Sequence, residues 1–229
     1  MKHAWFVTGT DTNVGKTLVS CALLHALRTR ALSAVGMKPV ASGCRMTADG
    51  AHHADAEALM AASSVVLDYA AVNPYALPAA TAPHLAAQAA GIAISLDTIT
   101  PAFSYLQSRA EAIVVEGVGG WLVPVDATHS MAEAAARLCL PVVLVVGIRL
   151  GCLNHALLTA AAVEHSGCRL AGWVANHVSN DADGVLKGYV AALSERLPAA
   201  LLGEIPYTQG KNPDPEQAAL HIRIDALLA

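Results

Sequence analysis

The sequence predicts an α/β fold with a mostly parallel central sheet flanked by helices. Short β-branched runs alternate with Ala- and Leu-rich stretches of helical length, the pattern that places helices on both faces of a parallel sheet. The most apolar window, Leu138 to Leu150, is broken by Pro141 and Gly147 and reaches Arg149, so it reads as a buried strand. It falls well short of the roughly 20 apolar residues that a spanning helix needs. In chain order, strand Ala4–Thr8 leads through a loop into helix Lys16–Arg28, and strand Ser33–Pro39 is followed by helix Ala54–Ala62. The stretch Val65–Pro83 carries Pro74, Pro78 and Pro83 and reads as a loop along one edge. Helix Ala82–Ala90 stops at Gly91, and helix Leu96–Ser108 precedes the apolar strand Ala112–Glu116. Helix Met131–Leu138 leads to strand Pro141–Val146, and helix Asn154–His165 stops at Gly167 before strand Leu170–Asn176. Helix Ala182–Arg196, closed by Pro198, gives way to a last strand, Leu201–Ile205. The nearly neutral tail Gln217–Asp225 suits packing at an edge.

At 229 residues with 55% hydrophobic content the chain has ample material for a core, which excludes intrinsic disorder. No repeat and no low-complexity linker divides it, so residues 1–229 are expected to form a single domain. The N-terminus turns polar at Thr8 and lacks the apolar region of a secretory signal, which predicts a cytoplasmic protein. Cys21, Cys44, Cys139, Cys152 and Cys168 are odd in number and never paired as CxxC, so they read as buried free thiols. A net charge of −4 with scattered basic residues lacks the electrostatic footprint of a nucleic-acid binder.

Ligands in open α/β sheets lie beyond the carboxyl ends of the strands, so the residues following each strand carry the functional argument. After the first strand, Gly9-Thr10-Asp11-Thr12-Asn13-Val14-Gly15-Lys16-Thr17 runs straight into a helix, the context of a phosphate-binding P-loop. Gly15 lets the backbone approach phosphate and successive N–H groups attract the anion. Lys16 reaches the β- and γ-phosphates, and the Thr17 hydroxyl is a ligand for Mg²⁺. The pattern departs from the usual one in placing Gly9 one residue early, with Thr10 where a glycine is common. The fold class sharpens to a P-loop NTPase.

The second strand delivers Lys38, followed by Pro39-Val40-Ala41-Ser42-Gly43, which puts a cation where it can hold a substrate anion or a transferring phosphoryl group. Read alone, it is also an ordinary surface lysine. Glu116 ends an apolar strand and opens Gly117-Val118-Gly119-Gly120-Trp121, the place for an acid that holds a metal. Asp55 is either the second such acid or a helix-opening carboxylate favoured by the dipole. His52 and His53 lack a third ligand at recognisable spacing and read as solvated loop histidines. Asn176 suits a nucleobase edge or a turn. Ile205-Pro206-Tyr207 lies where the same base would rest, or is simply a strand meeting a proline stop.

Together with Gly151-Cys152-Leu153-Asn154-His155-Ala156 and Gly203-Glu204-Ile205-Pro206, these segments resemble the dethiobiotin synthetase family in order and spacing over nearly the whole chain. The resemblance implies an enzyme of biotin synthesis that uses ATP, Mg²⁺ and CO₂ to close a cyclic urea on 7,8-diaminononanoate. It implies catalytic roles for Lys16 and Lys38, and a metal held by Thr17, Asp55 and Glu116. Nucleotide contacts fall to Thr12, Asn13, Val14, Gly15, Lys16, Thr17 and Leu18, to Asp55, Glu116, Gly117, Val118 and Gly119, and at the base end to Asn176, His177, Ile205, Pro206 and Tyr207. Diamine contacts fall to Thr12, Lys38 and Ser42. The distal carboxylate is expected across a homodimer interface at Cys152, Leu153 and Asn154, with Tyr189 adding a hydroxyl. Asn13 stands where some members carry an acid. Two other classes compete: a P-loop amidoligase, usually fused to a glutaminase domain for which this chain has no room, and a partitioning-type switch ATPase. The latter places an extra lysine early in the loop, and Gly9 to Val14 holds none.

Overall fold

The computed structural model describes residues 2–180, 184–208 and 214–229. In chain order the elements are β1 (His3–Gly9), α1 (Lys16–Arg28), β2 (Ala34–Met37), β3 (Val40–Ser42), β4 (Arg45–Thr47) and β5 (Gly50–His52). There follow α2 (Ala54–Ala62), α3 (Tyr69–Val72), β6 (Tyr75–Leu77), α4 (Pro83–Ala90), α5 (Leu96–Arg109) and β7 (Ala112–Gly120). The chain then forms α6 (Met131–Arg137), β8 (Val142–Ile148), α7 (Cys152–His165), β9 (Leu170–His177) and α8 (Leu186–Arg196), and closes with β10 (Leu201–Ile205), α9 (Pro215–Ala219) and α10 (Asp225–Leu228).

Six strands form one sheet in the order β10-β9-β8-β1-β7-β2, every pairing parallel. Alternation along each strand splits the apolar side chains between two layers. Trp5, Val7, Val114, Val143 and Val145 face α1, α2 and α9, while Phe6, Ile113, Val115, Leu144 and Val146 face α5, α6, α7 and α8. Burial on both faces is what lets β8 run as seven consecutive buried residues. β1 is central and its neighbours β7 and β8 exit on the same side, so the loops after these strands converge on one crevice.

All six expected strands are present, and β7 runs on four residues past Glu116 to Gly120. The stretch Val65–Pro83 is not the expected edge loop. It contains α3 and β6, and β6 pairs in parallel with β3 as a small second sheet. β4 and β5 form an antiparallel hairpin that the sequence did not signal. The helix expected from Ala182 begins among the described residues at Leu186, its first positions, Ala182 and Asp183, lying outside them. α7 starts two residues earlier than expected, at Cys152. The tail does pack on an edge: α9 lies on α1, Gly203 bridges Ile222, and the Arg223 amide donates to the Leu202 carbonyl at 2.7 Å.

The thiols are not uniformly buried: Cys21, Cys44 and Cys152 are, Cys168 is half-buried, and Cys139 is exposed where α6 turns into β8. Among the described residues no helix is long and apolar enough to cross a membrane.

Candidate active site

The loop between β1 and α1 folds as a phosphate cradle because two glycines admit neighbours that a side chain would exclude. A Cβ on Gly9 would lie 2.6 Å from the Val14 side chain, and one on Gly15, at φ +93°, only 2.2 Å from Asn176 Nδ2. This accounts for the early Gly9: it lets Val14 fold inward, where it is 2% exposed. Asn13 sits at φ 60°, a left-handed conformation that asparagine tolerates better than most residues. The loop stays on the sheet through the Thr10 amide, 3.0 Å from the Val145 carbonyl. The first N–H groups of α1 lack helical partners, as at any helix start, and Gly15, Lys16 and Thr17 line the cavity there.

Lys16 is 7% exposed and donates to the Asp11 carbonyl at 3.0 Å. Burial, and after it the nearby charge of Lys38, bring its pKa down to about 8 against the opposing pull of Glu116, Asp55 and Asp11. A lysine so placed is expected to lose its proton in the free protein as pH rises through that value and to regain it beside a polyphosphate. ATP affinity is expected to fall above pH 8 by up to about tenfold per unit, since one proton must be taken up on binding. Calorimetric titration with ATP across this range, beside Lys16→Arg, checks it: the arginine variant is expected to show no such fall, because its side chain stays charged.

Across the cavity, three charged side chains from three elements meet. Lys38 leaves the end of β2 at 2% exposure, and its Nζ donates to Glu116 Oε1 at 2.6 Å, Asp55 Oδ2 at 2.9 Å and the Gly117 carbonyl at 3.1 Å. Burial opposes the charge on Lys38, but Glu116 and Asp55 together outweigh it and raise its pKa. Burial likewise opposes the charge on Asp55, yet the Lys38 charge and hydrogen bond hold its carboxyl below the usual range. Thr17 Oγ1 donates to Glu116 Oε1 at 2.9 Å, joining the phosphate loop to this cluster. Glu116 is fully buried, and its Oε2 has no hydrogen-bond partner. Two carboxylates, one with an unsatisfied oxygen, and a hydroxyl are hard oxygen donors of the kind that Mg²⁺ shares with phosphate oxygens and water. Among the described residues no group of three or more His, Cys, Asp and Glu side chains offers an all-protein metal site.

A cavity of about 1000 Å³ joins these groups. It brings together Thr12, Asn13, Gly15, Lys16, Thr17, Lys38, Ser42, Asp55, Glu116, Val118 and Gly119 of the expected residues. Its far wall is Ala80 to Pro83, leading into α4, together with His53 and Val123. The proline-rich segment read as an edge loop thus borders the site. His52 and His53 are not free loop histidines but half-buried: the His52 ring stacks on Tyr69 at 3.8 Å, and His53 caps α2 by accepting from the Asp55 amide at 3.1 Å.

The remaining expected residues lie outside this cavity. Leu18 lies in the first turn of α1, and Gly117 contributes its carbonyl to Lys38. Asn176 lies beneath the loop with Nδ2 donating to the Val14 carbonyl at 2.8 Å. His177 pairs with Glu204 at 2.7 Å, Ile205 is buried, and Pro206 and Tyr207 are exposed beyond β10. Cys152, Leu153 and Asn154 form the first turn of α7, where Cys152 is buried and Asn154 exposed. Tyr189 is half-buried on α8, which packs on α7. An ion pair missed in the sequence ties Asp11 of the phosphate loop to Arg149, at the approach to α7, at 2.7 Å.

An AAA domain family profile matches residues 3–214. The chain is 51% identical over 221 residues to the ATP-dependent dethiobiotin synthetase BioD of Xanthomonas campestris pv. campestris, covering 96% of this chain and 97% of that one. To the protein of the same name from Xylella fastidiosa it is 49% identical over 219 residues, 95% and 96% of the two chains. Among solved structures it is similar to the MinD cell division protein of Aquifex aeolicus, with TM-score 0.58, 14% identity and coverage of 99% and 95%. The signal recognition particle receptor FtsY of Elizabethkingia anophelis gives TM-score 0.53 and 16% identity, over all of this chain and 66% of that one. At such identities the two likenesses speak for the P-loop fold alone. Identity near one half over almost the full length speaks for more, and the chain belongs to the ATP-dependent dethiobiotin synthetase family.

Proposed function

We propose that this chain acts as a single ligase domain that closes a cyclic urea on 7,8-diaminononanoate with CO₂ and ATP, giving dethiobiotin, ADP and phosphate. The observation that carries the reading is Lys38, clamped between Asp55 and Glu116 in the same cavity as Lys16 and Thr17. One diamine nitrogen bonds to CO₂ and loses a proton, leaving a carbamate. A carbamate oxygen takes the γ-phosphoryl group as ADP leaves, and the second nitrogen then attacks the carbamate carbon, expelling phosphate. Lys16 neutralises charge on the phosphoryl group in transfer, and Lys38 holds the carbamate oxygens from the other side. Thr12 and Ser42, which line the same cavity, hydrogen-bond the diamine end. Thr17, Asp55 and Glu116 are the residues to hold Mg²⁺, which when bound screens the phosphate charge. With Nδ2 engaged by Val14, Asn176 offers its Oδ1 to the base, and His177 and Ile205 to Tyr207 flank it.

The reading extends to a cytoplasmic homodimer. Leu150 and Leu158 are 87% and 63% exposed on either side of Asn154, an apolar surface around the first turn of α7. The Cys152 amide donates to the Arg149 carbonyl at 3.0 Å, so the N–H groups of Leu153 and Asn154 beside it attract the diamine's distal carboxylate from the partner subunit, and Tyr189 adds a hydroxyl. Asn154→Asp is expected to raise the diamine KM by about tenfold through charge repulsion, with the ATP KM unchanged. Steady-state kinetics with an unaltered diamine KM would remove this subsite.

The deciding assay incubates the protein with MgATP, bicarbonate and 7,8-diaminononanoate and follows dethiobiotin and ADP by mass spectrometry. Equimolar products that vanish without the diamine are expected. ATP hydrolysis without dethiobiotin, stimulated by DNA or lipid, would instead favour a switch ATPase.

A further inference from the structure

The bonds that hold Lys38 do not end at its ammonium. Its backbone is gripped on both sides by the end of α3: the Lys38 amide donates to the Val72 carbonyl at 2.8 Å, and Asn73 Nδ2 donates to the Lys38 carbonyl at 2.6 Å. Asn73 is 3% exposed and spends its second amide hydrogen on the Tyr75 carbonyl at 3.2 Å. Its Oδ1 accepts from Tyr69 Oη at 2.9 Å. The same phenol oxygen accepts from the His53 amide at 2.8 Å, and the His53 ring in turn accepts from the Asp55 amide at 3.1 Å. One side chain, Tyr69, therefore reaches the backbone of both partners in the Lys38–Asp55 ion pair, through Asn73 to the Lys38 carbonyl and through His53 to the Asp55 amide.

Tyr69 is itself held in place. The His52 ring stacks on it at 3.8 Å with the two planes 1° apart, and Glu57 binds His52 at 3.2 Å and the Arg45 guanidinium in a two-point contact at 2.7 Å. α3 has only four residues, far too few to persist by their own helical bonds, so its position depends on such contacts. We propose that Tyr69 and Asn73 are positioning residues that set the Lys38 ammonium against Asp55 for the substrate carbamate. Four rotatable bonds separate the Lys38 backbone from Nζ, and the ammonium is anchored at Glu116 and Gly117. The bracket fixes the other end, which removes the freedom that would let the charge drift from the reacting oxygens.

The inference rests on the reading of Lys38 as a substrate contact, and the test separates the two. Tyr69→Phe removes one hydroxyl and both of its bonds while keeping the stacked ring. It is expected to lower kcat about tenfold and to weaken binding of 7,8-diaminononanoate, measured by calorimetry, by a similar factor. ATP affinity stays within about twofold, because neither residue bonds to the phosphate loop. In a Lys38→Ala background the same change is expected to alter diamine affinity by less than about twofold. Asn73→Asp, which replaces the donor on the Lys38 carbonyl with an acceptor, is expected to show the same split and serves if Tyr69→Phe fails to fold. Wild-type kcat and diamine affinity in both variants overturn the bracket, as does a loss of ATP affinity equal to the loss for diamine, the mark of general loosening. If Lys38→Ala alone leaves diamine affinity and turnover intact, the reading of Lys38 falls, and the bracket's role falls with it.

Discussion

Lys16→Ala is expected to lower kcat by about 10³-fold and to weaken ATP binding while leaving the fold as stable as before, or slightly more so. Removing a single well-placed charge-stabilising donor costs about 10²- to 10³-fold in turnover, and in the proposed reaction this one faces the phosphoryl group in transfer. The stability half of the prediction follows from burial. Lys16 is almost enclosed, and burial pulls its pKa down to about 8, so near neutral pH the folded chain holds its charge at a cost that alanine does not incur. That cost diminishes as pH rises through the lowered folded value toward the ordinary lysine value, so the variant's advantage in a thermal melt is expected to shrink over the same interval. Turnover kinetics and melts on one preparation check both halves. A variant that loses activity and several degrees of stability together would show that Lys16 contributes packing rather than charge.

The two lysines were legible in the sequence, Lys16 as the lysine of a phosphate loop entering a helix and Lys38 as a residue at a strand exit, but the opposite shifts of their pKa values were not. Both lie on the ligand side of the sheet, and the acids that set the state of Lys38 are far from it in sequence. Lys38 finds Asp55 seventeen positions away and Glu116 seventy-eight away, and only the order of β2 and β7 in the sheet makes the second meeting possible. The sheet itself was readable because buried parallel strands leave unbroken apolar runs. β7 was cut short at Glu116 because Gly117-Val118-Gly119-Gly120 carries little side-chain signal, although its backbone continues the ladder. The segment from Tyr69 to Pro83 was misread for a related reason. A four-residue helix and a three-residue strand show no periodicity, and their stability comes from long-range bonds to Lys38, Pro39 and β3. His52 and His53 looked solvated because stacking on Tyr69 and capping of α2 leave no trace in local composition. The family resemblance named more than half of the residues that line the cavity, whereas the bonds among them came from the structure.

Lys38→Ala is expected to act on both activity and stability. Turnover should fall by about 10²- to 10³-fold, less than for Lys16→Ala if charge on the phosphoryl group dominates the barrier. Steady-state kinetics giving the reverse order would place the larger demand on the carbamate. The stability loss has the opposite sign to that of Lys16→Ala. The pKa of Lys38 is raised above its ordinary value, so its charge stabilises the fold fully below that ordinary value, and the contribution disappears only as pH rises through the higher folded value. Taking the ammonium away leaves Glu116, fully buried with one oxygen already unpaired, and Asp55, mostly buried, facing each other as anions. Breaking a buried pair in this way costs about 3–5 kcal/mol, or roughly 10 °C in Tm for a chain of this size. The same two carboxylates and Thr17 are the groups proposed to hold Mg²⁺, so added Mg²⁺ is expected to recover more of the lost Tm in Lys38→Ala than it adds to the wild type. A chelator should abolish the recovery. A variant that melts at the wild-type temperature, with or without Mg²⁺, would mean that the carboxylates have protonated to relieve their repulsion, and that they are no preformed cation site.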